Sequence, residues 1–182
     1  SADTLLVCHP EVPPRNITRT AETSWPVTPW TFFVSNDSIK QPYHKFSDDP
    51  VTLAASGVSG SVTLTASLDV FVAGHIGARF RLAQKEVEIT GVTNATQATA
   101  TVKQELTSGA ATTDWDEQSY SAARGWPVSV AFHQDRLVIG GSRDLPNRLW
   151  LSKSADLFNF DLGNGEDDEA IEFAILSDQV NA

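Results

Sequence analysis

Four short stretches bring together residues whose types could do chemistry. "GHIGARF" (74–80) brackets His75 with Gly74 and Gly77. Flanking glycines let the backbone take positive φ, so the stretch reads as a turn. In such a turn His75 is either a ligand or acid–base group, or a side chain hydrogen-bonded to nearby backbone, and the second reading is the simpler. "DWDE" (114–117) sets carboxylates around Trp115, the residue types of a glycoside hydrolase with a ring on which sugar stacks. "GNGEDDEAIE" (163–172) has the composition of a calcium loop but lacks the EF-hand order. Its acids are consecutive and point to different sides, so it reads as a solvated acidic turn before a strand. Cys8 sits in a strand-like apolar run and reads as a small core residue rather than a nucleophile.

Beyond these the chain is sparse in chemistry. Its four histidines, His9, His44, His75 and His133, show no HExxH spacing, and there is no nucleophile elbow, phosphate loop or dinucleotide fingerprint. A single cysteine excludes an internal disulfide and a cysteine-based metal site. The residues therefore predict no catalytic group, no metal and no cofactor: not an enzyme. Thirteen basic against twenty-three acidic residues give a net charge of −10. That argues against wrapping nucleic acid through phosphate contacts, though a negative wall suits a conduit along which DNA slides. No apolar run is long enough to span a membrane. The start "SADTLLVCHP" lacks the features of a signal peptide, and the ends read as those of a piece of a longer polypeptide.

The elements that must carry these residues read as strands. All nine prolines lie at 10–50 or at 127 and 146, leaving a Pro-free middle with eleven Thr between positions 52 and 113. "SVTLTAS" (61–67), "KEVEITGV" (85–92) and "QATATVKQEL" (97–106) alternate with period two, the last two forming a hairpin around "GVTNAT". A small antiparallel barrel or sandwich follows. The flanks hold the other four Trp residues. "DTLLVCH" (3–9) is a strand, "VSVAFH" and "RLVIGGS" pair across Gln134-Asp135, and "RLWLSKS" and "AIEFAIL" add two more. Gly140-Gly141 bends or bulges the second of these. Such successive antiparallel runs resemble propeller blades. Phe132, Leu137, Ile139, Leu149, Leu151, Phe173 and Ile175 are the expected core. "SYSAARG" (119–125) and "SADLFNF" (154–160) are the most helical tracts. Trp-Pro-Val occurs at 25–27 and 126–128, which, with the change of composition, divides the chain into 1–35, 36–125 and 126–182. The fold class expected is all-β: blade-like segments 1–35 and 126–182 flanking an inserted, Thr-rich β-domain.

Three stretches carry a family resemblance. "DTLLVCHPEVPPRNITRT…SWPVTPWTF", "DVFVAGHIGARFRL…EVEITGVTNATQATATV" and "RGWPVSVAFHQDRLVIGGSRDLPNRLWLSKSADLFNFD…DDEAIEFAILSDQVNA" are similar to the tail tubular, or nozzle-like, proteins of short-tailed bacteriophages and related prophages. Residues 36–60 fall outside the likeness. The residues that carry it are Gly74, His75 and Gly77 in the middle, and in the third stretch Trp126, Pro127, Phe132, Arg136, Gly140, Gly141, Trp150, Phe158 and Phe160. The resemblance implies a structural virion subunit, assembled in the bacterial cytoplasm into a ring with other tail subunits. Genomic DNA would pass through its lumen without specific binding. A carbohydrate- or receptor-binding β module is the alternative, since exposed Trp on β-scaffolds stacks on sugars.

Overall fold

The computed structural model describes residues 3–176, so the "SDQVNA" at the end of the third stretch lies outside the described residues. Contacts divide the chain into two compact units. The first gathers the residues up to Phe33, Lys40–Pro42 and the chain from Arg124 onward; the second holds Val34–Ile39 and Tyr43–Ala123. The fold is all-β, with antiparallel sheets. Among the described residues the helical content is one 3-10 turn at Ala73–His75. The tracts 119–125 and 154–160, expected to be the most helical, are turns instead. Each is crowded with Ser, Asp, Asn or Gly, whose side chains or freedom favour turns over helix.

The first unit begins with β1 (Thr4–His9), β2 (Val12–Thr18) and β3 (Val27–Pro29), paired in that order. A central strand holding Pro13 and Pro14 is unexpected, because proline cannot donate to a ladder. Both lie where donation is not needed. The β1–β2 register shifts between Val7 and His9, and β3 pairs only with Arg15, Asn16 and Ile17.

The second unit holds a hairpin, β4 (Val34–Ser35) with β5 (Ser38–Ile39), and a seven-stranded sheet. The sheet strands are β6 (Tyr43–His44), β7 (Leu53–Ala55), β8 (Ser61–Ala66), β9 (Arg79–Leu82), β10 (Lys85–Asn94), β11 (Gln97–Val102) and β12 (Trp115–Gln118). Their spatial order is β6-β12-β9-β10-β11-β8-β7. One face carries the core: Leu53, Leu64, Phe80, Val87, Ala98 and Ala100 are fully buried, with Trp115 at 3 % exposure. The other face explains the threonines. Thr63 and Thr99 are cross-strand partners on it, and Thr90 Oγ1 lies 3.1 Å from Thr99 Oγ1. The expected barrel does not close. A single bridge, Leu53 with Thr112, links β7 to the segment before β12, so the sheet curls without completing its ladder. Its edge strands, of three and two residues, are too short to zip together.

The chain then returns to the first unit for β13 (Ser129–His133), β14 (Arg136–Gly140), β15 (Arg148–Leu151) and β16 (Ile171–Ala174), hydrogen-bonded in sequence order. Leu137, Ile139 and Trp150 are buried on one face. Five of the expected core residues need correction, among them Ile175, which is half-buried beyond the end of β16. Phe132 is 63 % and Phe173 57 % exposed, and Leu149 and Leu151 are half-buried. Leu149 is paired with Phe173 and Leu151 with Ile171, so they share the opposite face, on which Ile171 and Phe173 are exposed. Phe132 faces the same way as Leu137 but stands in the edge strand β13. The early and late segments share a core through Trp30, edge-on to Phe158 at 5.7 Å, and Phe32, edge-on to Phe160 at 5.8 Å. Trp126 N–H donates to Pro10 O at 3.0 Å.

Candidate functional site

The residues singled out from sequence fall into two groups, one in each unit. In the second unit the "GHIGARF" turn is the 3-10 turn itself. Gly74 is required by close approach: a Cβ there would lie 2.7 Å from the backbone N of Ala123. Gly77 turns the chain out at φ +85° into open space. His75 is fully buried, between Phe71 and Phe80, both edge-on to its ring. Its Nδ1 accepts the Val72 N–H at 3.1 Å, and Nε2 lies 2.8 Å from Glu117 Oε2. The acceptor role of Nδ1 puts the ring proton on Nε2, facing the carboxylate. Imidazole and carboxylate form a pair that an active site could use, but both are at 0 % exposure and no substrate reaches them. The pair ties the 3-10 turn to β12.

The "DWDE" residues separate because successive side chains on a strand alternate between faces. Trp115 is in the core, stacked on Phe80 at 6.1 Å, with its indole N–H donated to Val51 O at 2.8 Å. It is therefore not a sugar platform. Glu117 points inward to His75, while Asp116 points outward and grips Arg81 through two bonds of 2.7 and 2.5 Å. The two carboxylates do not share a cleft. Arg81 also lies over the Tyr43 ring, 3.9 Å from its centroid.

Sequence reasoning missed Glu86. It is fully buried on the outward-facing side of β10, where it accepts the Ser38 hydroxyl at 2.6 Å and the Ile39 N–H at 3.0 Å. Glu86 thus anchors the β4–β5 hairpin to the sheet. Nothing in "QKEVEIT" distinguishes it from the solvent-facing Glu88 two residues on.

In the first unit most of the marked residues are packed inside the fold, Phe132 being the exposed exception. Gly140 has no room for a Cβ, which would collide with Leu149, and Gly141 follows at φ +66°. Pro127 and Trp150 are buried, and Phe160 is 3 % exposed. Arg136 is 6 % exposed and donates to three carbonyls, Ser152 O at 2.6 Å and Asp167 O and Glu169 O at 2.5 Å each. It pins the acidic loop from the inside. That loop closes on itself: Glu169 Oε2 accepts the N–H groups of Asn164, Gly165 and Glu166 at 2.5, 2.7 and 3.0 Å. These bonds, that of Glu166 foremost, hold the Glu169 carboxyl below its ordinary range against the opposing effect of burial. The carboxylate fills the loop's cradle of N–H groups itself. Among the described residues no three His, Cys, Asp or Glu side chains are grouped to hold a metal. Burial pushes the Cys8 thiol up to about 11, which leaves it protonated and poorly nucleophilic at neutral pH.

Among the described residues no helix is long and apolar enough to cross a membrane. Set against known proteins, the chain matches no family model, and no curated protein matches it.

Proposed function

We propose that the chain is a structural, non-enzymatic part of a bacteriophage tail: a tube or nozzle subunit whose ring contributes to the DNA-ejection channel of the virion. The observation that carries the reading is the likeness of "GWPVSVAFHQDRLVIGGSRDLPNRLWLSKS" to nozzle-like tail proteins, on residues that form β13 to β15. With β16 these make a four-stranded antiparallel sheet in sequence order, the size of one propeller blade. Apolar side chains on both faces support the blade reading, because a sheet apolar on both faces is built to be covered on both. Ile171 and Phe173 supply the exposed face here, and Leu5 and Val27 do the same on the β1–β3 sheet. In this reading the Thr-rich middle is an insertion between two parts of one blade-like module. The grouping of the residues up to Phe33 with those from Arg124 supports it. A net charge of −10 fits a channel that lets DNA pass without specific binding.

The test is immunogold labelling of purified phage particles with antibodies against the chain. Label at the tail vertex supports the reading, and particles that carry none of the protein overturn it. A second reading, a carbohydrate- or receptor-binding module, is favoured by one observation. Trp25 is 53 % exposed, with the Arg19 guanidinium 5.9 Å from its ring centroid. Glycan-array binding that is lost in Trp25→Ala would select it.

A further inference from the structure

The acidic loop holds the chain's only asparagine followed by glycine, Asn164-Gly165. Such a pair is prone to cyclise, because glycine has no side chain to keep its backbone nitrogen away from the asparagine carbonyl carbon. Both residues are exposed, and Gly165 turns at φ +85° with open space where a Cβ would stand. The nitrogen that would attack is nevertheless held. Gly165 N–H donates to Glu169 Oε2 at 2.7 Å, and the same oxygen takes the N–H groups of Asn164 at 2.5 Å and Glu166 at 3.0 Å. Gly163 has no room for a Cβ, because the Glu169 carboxylate fills that space. From the other side Arg136 grips the carbonyl oxygens of Asp167 and Glu169.

A carboxylate placed here has two possible effects on its neighbour. It can take the proton and free the nitrogen to attack, or keep the N–H and restrain it. The first needs a basic carboxylate, and Glu169 is a weak one: the N–H groups that converge on it hold its carboxyl below the ordinary range. We propose that Asn164 is a self-modification site, converting to aspartate or isoaspartate, and that Glu169 is the lock that keeps the folded loop from reacting. In the reaction Gly165 N bonds to Asn164 Cγ, the Cγ–Nδ2 bond breaks, and the Gly165 proton departs with that nitrogen as ammonia. Water then opens the cyclic imide at either carbonyl. The change runs one way. It puts a carboxylate on the residue whose N–H Glu169 holds, and like charges in one loop repel. Isoaspartate also adds a methylene to the backbone, so the successive N–H groups no longer converge on one oxygen. An opening of the loop is thereby made permanent. The lock does not depend on the virion reading.

The experiment incubates the intact chain at neutral pH beside the blocked peptide LGNGEDD, the sequence of residues 162–168, and follows loss of the Asn164 amide by peptide-mapping mass spectrometry. The free peptide reacts, and the intact chain reacts at least about tenfold more slowly, because it must first open the cradle. Glu169→Ala brings the chain to within about threefold of the peptide rate. Glu169→Gln, which keeps an acceptor of the same size without the charge, falls between. Circular dichroism checks that each variant keeps its β spectrum; should Glu169→Ala lose it, Glu169→Gln decides, and must exceed the unaltered chain. An intact chain that reacts at the peptide rate overturns the lock. Variants as slow as the unaltered chain overturn the role of Glu169, and slower ones make its carboxylate the base instead. A peptide that keeps its amide overturns the site.

Discussion

Phe132 and Leu137 face each other across one hairpin, yet the first is 63 % exposed and the second not at all. Leu137→Ala should therefore cost about 2–5 kcal/mol and Phe132→Ala less than about 1 kcal/mol, read from urea denaturation. A loss at Phe132 as large as that at Leu137 would place its ring in a core. The sequence treats both residues alike, because alternation marks the face a side chain takes and not whether its strand lies at an edge. Charge at the residue scale is equally testable. Glu169 is held below its ordinary value of 4.5, chiefly by the N–H of Glu166. Asp144 is lowered, chiefly by its bond to Arg143. At Asp161 burial is the largest influence and raises the value, but the bond and charge of Lys40, with smaller contributions, outweigh it. A carboxyl lowered on folding stabilises the native state above its unfolded value and loses that contribution as pH falls through the folded one. Thermal stability should then decline as pH drops below about 4.5, and Glu169→Gln should make the decline shallower. An unchanged acid limb in that variant would refute the role of the self-closed loop.

At the scale of elements, three of the two-residue hairpin turns among the described residues have both residues at positive φ: Asn36-Asp37, Ala83-Gln84 and Gln134-Asp135. These angles belong to the tight turn whose twist matches a β-ribbon, normally marked by Asn-Gly or Asp-Gly. None of the three carries that glycine. Gln134-Asp135 is legible because long alternating strands flank it. Ala83-Gln84 is not, because β9 has four residues and reads from sequence as the tail of the "GHIGARF" turn. The same applies to β2, whose prolines mark a break that the local bulge absorbs. Likewise "DWDE" reads as a surface cluster, because the burial of Trp115 and Glu117 depends on partners in distant strands. The strands of the "KEVEITGV" and "QATATVKQEL" hairpin are legible from period alone. Alanine and glutamine in the left-handed region are strained by roughly 1–2 kcal/mol each. Ala83→Asn with Gln84→Gly should thus stabilise the second unit by about 1 kcal/mol, measured as a raised denaturation midpoint. A lowered midpoint would show that Ala83 or Gln84 makes contacts worth more than its strain. The β4–β5 hairpin depends on one distant residue instead. In Glu86→Ala the amide of Ile39 loses its acceptor, and its hydrogen exchange should accelerate by at least about tenfold while that of β10 is kept.

For the whole molecule, composition and contacts divide the chain at neighbouring places. The change from Trp- and Pro-bearing to Thr-rich sequence falls near 36 and 125, and the contact division falls at 33/34 and 123/124. The return of Lys40–Pro42 to the first unit has no signal in composition. It rests on two backbone bonds, Lys40 N–H to Phe33 O at 2.8 Å and Phe160 N–H to Lys40 O at 2.8 Å, and on the Lys40–Asp161 ion pair at 2.9 Å. The second unit has a core of its own, spanning Val51 to Trp115. Residues 34–123 expressed alone should therefore give a β-type circular-dichroism spectrum and one cooperative melting transition. A fragment without a cooperative transition would mean that the second unit needs the first to fold.

The division of the chain also sets how it responds to tension. Handles attached at Asp3 and Leu176 would both pull on the first unit, since the chain enters and leaves the second from within it. While the contacts joining Trp30 to Phe158 and Phe32 to Phe160 persist, load passes through them and bypasses residues 43–123. The Thr-rich sheet is mechanically shielded. In an optical trap the first rupture should belong to the first unit, and the slack of the second, about 3.5 Å for each residue released, should appear only afterwards.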